Sequence, residues 1–114
     1  SFNQGKPMLL SNLETLPEYR VIKHLGLVQG STVRSKHAGR DLMASVKNVF
    51  GGELRGYTEL LEESRKEAIE RMQEQARQLG ANAILNIRFS TSAITAGAAE
   101  IFAYGSAVVV EPLS

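Results

Sequence analysis

The chain has 114 residues, with 13 Lys and Arg against 12 Asp and Glu, 43% hydrophobic residues and no cysteine. That length fits one domain and leaves room for an independent core, though not a generous one. The balanced charge disfavours a general phosphate-backbone binder, which carries a clustered basic excess. The missing thiols exclude disulfides, zinc–thiolate sites, iron–sulfur clusters and cysteine nucleophiles.

No stretch approaches the roughly 20 apolar residues that span a bilayer. A cytoplasmic chain is expected, with neither membrane nor nucleic acid as partner. Residues 1–7 are polar at the start and read as an expression remnant or a disordered start. Residues 8–114 read as a single α+β domain.

In chain order, Met8-Leu9-Leu10 followed by Leu13 predicts a brief strand over Met8 to Glu14, ended by Pro17. Tyr19 to Arg34 is rich in Val, Ile and Leu and predicts one bent strand, with Val21, Leu25, Leu27 and Val33 on one parity and Ile22, His24 and Val28 on the other. Gly26 and Gly30 interrupt it, as glycines do at a bulge or a close backbone approach. Gly39 to Phe50 predicts a short helix, with Leu42, Met43, Val46, Val49 and Phe50 on one face and Gly51-Gly52 as its break.

Thr58 to Leu79 predicts a longer helix, capped by Thr58 and stopped by Gly80. Its apolar stripe is Leu61, Ala68, Met72, Ala76 and Leu79, and Glu62–Lys66 and Glu67–Arg71 pair on its outer face. Ala83 to Ala93 alternates as a strand, placing Ala83, Leu85, Ile87 and Phe89 on one side and Asn86, Arg88, Ser90 and Ser92 on the other. Ala96-Gly97 makes a turn. The last strand, Glu100 to Glu111, is apolar on both faces, with Ile101, Ala103, Ala107 and Val109 opposite Phe102, Tyr104, Val108 and Val110.

Two strands, two helices and two strands predict an antiparallel sheet with both helices on one face. The other face would then leave Phe102, Tyr104, Val108 and Val110 in water, at a loss of roughly 1.5–3 kcal/mol for each large side chain. Soluble monomers rarely tolerate such a patch, and symmetric self-association removes it. The alternative is that the N-terminal segment folds over that face.

The run Val49-Phe50-Gly51-Gly52-Glu53-Leu54-Arg55-Gly56-Tyr57-Thr58-Glu59-Leu60-Leu61 carries a further signal, continued by Arg65, Ala68, Met72 and Ala76 and by Leu79-Gly80-Ala81-Asn82-Ala83-Ile84. With Arg40-Asp41, Gly26, Gly30 and Tyr104-Gly105-Ser106-Ala107-Val108, it closely resembles the YbjQ-like family, labelled "putative heavy-metal-binding". The likeness runs from about Met8 to Pro112; Ser106, where Thr is common, is a mild departure. The resemblance implies a dodecin-like two-layer subunit and a pentameric ring, which could stack as a decamer. The metal label gains little from the residues, because soft metals favour thiolates.

Candidate chemistry is sparse. His37 and Asp41, four residues apart, would offer two ligands without a third, and an exposed histidine beside a helix-start carboxylate is the commoner arrangement. His24 reads as a packed or edge strand residue. Arg40, Asp41, Tyr57, Arg65 and Arg88, with Lys47, form the candidate ligand-binding set, as arginines supply forked donors to a carboxylate or phosphate. Ion pairs that tie subunits together would explain the same arginines. Gly51-Gly52 and Gly56 lack the Lys-Ser/Thr of a phosphate loop, and neither of the two histidines stands in a nucleophile motif. The expectation is a non-enzymatic homo-oligomer, pentamer or decamer, that binds a metal ion or small anionic ligand at subunit interfaces. The cofactor stays unknown. The alternative is a scaffold or protein-interaction module with no small ligand.

Overall fold

The computed structural model describes residues 6–35, 52–95 and 98–114. Across them run strand β1 (Leu9–Leu10), strand β2 (Tyr19–Ser35), helix α1 (Gly52–Leu79), strand β3 (Ala83–Thr95) and strand β4 (Ala98–Pro112). They form an α+β fold, with α1 packed on one sheet in the order β1-β3-β4-β2. The expected helix over Gly39 to Phe50 and the turn at Ala96-Gly97 lie outside the described residues.

The sheet is mixed, which corrects the antiparallel expectation. β2 and β3 each run antiparallel to β4, whereas β1 runs parallel to β3, pairing Leu9 with Ala83 and Leu10 with Ile84. β1 and β2 occupy opposite edges, so residues 11–18 must cross a face of the sheet. The helix holds one face, and the segment takes the other. It is fastened along β3, where Ser11 N–H donates to Ile84 O at 3.0 Å and Asn86 N–H donates to Leu13 O at 2.9 Å. Tyr19 N–H then donates to Leu16 O at 3.1 Å, closing a turn around Pro17 and Glu18. Glu18 has φ of 71°, and proline followed by a positive φ is the type II pattern.

β2 is the single bent strand expected, and its two bulges lie between Val21 and Lys23 and between His24 and Gly26. The bulges break the simple parity: Leu25, expected beside Leu27 and Val33, packs with Val28 on the helix side, whereas Leu27 and Val33 lie on the other face and are exposed. Gly26 has φ of 120°, which only glycine adopts readily. Gly30 answers a different need. A Cβ there would lie 2.2 Å from Ala68 O and 2.5 Å from Met72 N, so the helix backbone rests directly on the strand.

The helix begins at Gly52, not at Thr58, so Thr58 is an internal residue rather than the cap. Nothing in Glu53-Leu54-Arg55 opposes a helix, and one glycine costs only about 1 kcal/mol. Its end agrees with expectation: Gly80 has φ of 90°, Gly80 N–H donates to Arg77 O and Ala81 N–H to Ala76 O, a Schellman closure. Ala68, Met72 and Ala76 are fully buried against Val28, Ile84, Ile101, Ala103 and Ala107, while Leu79 is exposed. The buried hydroxyls are satisfied, Thr32 donating to Ser64 O at 3.2 Å and Ser64 to Leu60 O at 2.8 Å. Of the expected helix pairs, Glu67–Arg71 forms at 2.5 Å.

β3 departs most from its alternation. The register slips between Leu85 and Arg88, and Asn86 takes φ of 58°, a left-handed value that asparagine tolerates better than most residues. Beyond this bulge the faces exchange. Ala83 and Leu85 share a side with Arg88, Ser90 and Ser92, while Ile84, Ile87 and Phe89 face the helix side.

Among the described residues the second face is closed at one end only. Val108 and Val110 are buried with Ala83 and Leu85 beneath Leu9, Leu16 and Tyr19. The N-terminal segment therefore covers these two valines, and the expectation that a neighbouring copy shields all four residues of this face is corrected for them. Phe102 and Tyr104 stay half-buried, beyond the reach of that segment. The extents are 56 × 23 × 23 Å. The 17 residues of β2, at about 3.3 Å each, account for the long dimension.

Candidate functional site

The open end of the second face is the candidate site. Cross-strand registers set its rows: Leu27, Ser106 and Leu85; Gln29, Tyr104 and Arg88; Ser31, Phe102 and Ser90; Val33, Glu100 and Ser92. The rings of Phe102 and Tyr104 lie 5.4 Å apart at their centroids, tilted by 31°, in the range where aromatic pairs attract. On the outer strand Leu27 is 69% and Val33 is 59% exposed. The result is an aromatic centre lined by serines, with apolar residues at its rim.

The edge of β2 beside this face is partly closed by the helix. Gln29 N–H donates to Gln75 Oε1 at 2.7 Å, and Arg71 Nη1 donates to Ser31 O at 2.6 Å. Unpaired strand edges invite pairing with another chain, and these two side chains blunt the edge at its middle.

Of the predicted site residues only Arg65 and Arg88 have described side chains, and the fold sets these two on opposite sides of the sheet. Arg40 and Asp41, with His37 and Lys47, lie outside the described residues. Tyr57 belongs to the first turns of α1, and its side chain is likewise outside them. Arg65 is exposed on α1, on the helix side of the sheet, whereas Arg88 belongs to the opposite face. Arg88 has structural work: Nη1 donates to Asn12 O at 2.8 Å and to its own neighbour's Ile87 O at 2.9 Å, and Nη2 lies 3.5 Å from Asn86 Oδ1. It clips the N-terminal segment to β3. His24 is an exposed strand residue paired with Val108.

Gln29 and Ser31 were missed by sequence reasoning. Their signal was the alternation Leu27, Gln29, Ser31, Val33, legible only once Gly26 is taken as a bulge. Asn82 was missed as well. Its Nδ2 donates to Val110 O at 2.9 Å and its Oδ1 accepts from Val110 N–H at 2.8 Å, so a side-chain amide extends the sheet ladder.

Among the described residues no three His, Cys, Asp or Glu side chains gather as a coordination site requires, and the whole chain lacks the thiolates a soft cation prefers. Also among the described residues, no helix is long and apolar enough to cross a membrane.

Known proteins place this architecture. A UPF0145 protein of Hahella chejuensis is 67% identical over 104 residues, spanning 91% of this chain and all of that protein. One from Psychrobacter arcticus is 60% identical over 91% of this chain, which covers 66% of that longer relative. The fold also matches the crystal structure of a Pediococcus pentosaceus protein of unknown function from the DUF74 family. The TM-score is 0.63 at 11% identity, over 91% of this chain and 98% of that one. The YbjQ family profile, described as "Putative heavy-metal-binding", matches residues 8–111. With the glycine-seated helix, the Gly80 stop and the Asn82 ladder all inside the matched span, this chain belongs to the YbjQ-like family.

Proposed function

We propose that the chain is a non-enzymatic, cytoplasmic binding protein that works as a homo-oligomeric ring of dodecin-like subunits, five to a ring. The observation that carries this reading is the half-covered second face. Its own N-terminal segment shields Val108 and Val110, while Leu27, Val33, Phe102 and Tyr104 stay outside that cover. Burying large apolar side chains is worth about 1.5–3 kcal/mol each, and a further copy of the chain is the occupant always at hand. The pentamer itself rests on the family resemblance.

The ligand of this reading is a metal ion or a small anion held between subunits, with Arg40, Asp41, Tyr57, Arg65 and Arg88 as the candidate contacts. Arg65 and Arg88 occupy opposite sides of the layer, so only neighbouring copies would unite them. The donor set favours the anion over a soft metal. A scaffold that recruits a protein through the ring surface is the second reading, favoured by the role of Arg88 as a clip rather than a free ligand donor. Native mass spectrometry of the freshly purified chain tests the proposal. A mass of five subunits, or ten, with retained small-molecule mass supports it; a ring without added mass favours the scaffold; the 12.4 kDa monomer overturns both.

A further inference from the structure

Where α1 ends, four stretches of chain enclose a cavity of about 320 Å³. Met8, Val110 and Pro112 supply apolar walls, and Lys6, Tyr19 and Arg77 supply polar ones. The floor is rigid, because Asn82 is doubly hydrogen-bonded to Val110 and Gly80 is locked by the helix-end closure. We infer that this cavity is a binding site for a small organic carboxylate, its anionic head between Arg77 and Lys6 and its apolar body against Met8, Val110 and Pro112.

Three observations carry the inference. First, the volume lies at the lower end of the range for small-molecule pockets, which are mostly apolar with a few convergent polar groups. Secondly, two cations reach this cavity from distant parts of the sequence, Arg77 from the last turn of α1, where the helix dipole also favours a basic residue, and Lys6 from the segment before β1. Arg77 is only loosely engaged, 3.9 Å from Glu74 and 3.2 Å from Gln73 Oε1, both on its own helix. Thirdly, Tyr19 is half-buried and its hydroxyl has no partner among the described residues, although a tyrosine hydroxyl in such a setting usually finds one. A carboxylate could accept from all three groups, charge-assisted from the two cations. Bare phosphate would satisfy the cations but leave the apolar walls unused.

This site is formed within one chain, so it neither requires nor supports the ring. The test is titration of the full chain with benzoate, followed through the backbone amide shifts of Met8, Ala81 and Asn82. Saturable binding is expected, weakened about tenfold or more by Arg77→Gln and less by Tyr19→Phe. Benzyl alcohol and inorganic phosphate should each bind at least tenfold more weakly than benzoate. Lys6→Gln repeats the test without touching the helix, should Arg77→Gln perturb folding. Absence of saturation at millimolar benzoate overturns the inference. So does equal affinity for benzyl alcohol or for phosphate, or a folded Arg77→Gln or Lys6→Gln variant that binds unchanged.

Discussion

The two faces of the sheet solve the same problem by different means. On the helix side the contact is made by small residues. Gly30, Ala68, Ala76, Ala103 and Ala107 let the helix backbone lie on the strands, and Met72 fills what remains. Among the described residues nothing comparable exists on the other side. Leu9, Leu16 and Tyr19 cover Val108 and Val110, but beyond them the face carries half-buried aromatics and exposed Leu27 and Val33. One face is finished within the chain. Among the described residues the other is covered for about half its length, and this asymmetry is what the proposal of a docking copy rests on.

Substitutions should separate the two. The largest effect is expected from Gly30→Val, because the new side chain would meet helix backbone rather than a flexible side chain. A loss of about 3 kcal/mol or more is expected, at or above the upper end for overpacking, read as a drop in the urea midpoint or as failure to fold. A near-neutral result would mean that the helix is not seated as described. Leu16→Ala should cost less, about 1–2 kcal/mol, since this half-buried residue covers only part of the second face. A cost matching that of a fully buried leucine would break the distinction between the faces.

Much of the fold was legible in the sequence, and the failures share a cause. Gly80 announced the helix end and Gly26 and Gly30 announced a bulge and a close approach, because each reflects a local demand that only glycine meets easily. The faces of β3 were misassigned because a bulge at Asn86 is decided by register with β4, and strict alternation from Ala83 to Ala93 cannot register an inserted residue. The cover over Val108 and Val110 was underrated for a similar reason. Leu9, Leu16 and Tyr19 are far apart in any local pattern, and only the parallel pairing of β1 with β3 brings them to one place. The candidate arginines illustrate a further limit. Arg88 is conspicuous as a cation on a polar strand face, yet its donors serve backbone carbonyls supplied by a distant segment.

Sedimentation velocity on the wild-type chain and on Leu27→Asp/Val33→Asp bears most directly on the half-open face. Both residues are exposed in the single subunit, so a subunit on its own should accept the charges with little change in fold. The wild type should sediment as an oligomer at micromolar concentration and the double variant as a folded species of 12.4 kDa. A monomeric wild type, or a variant that assembles as readily as its parent, would contradict the account.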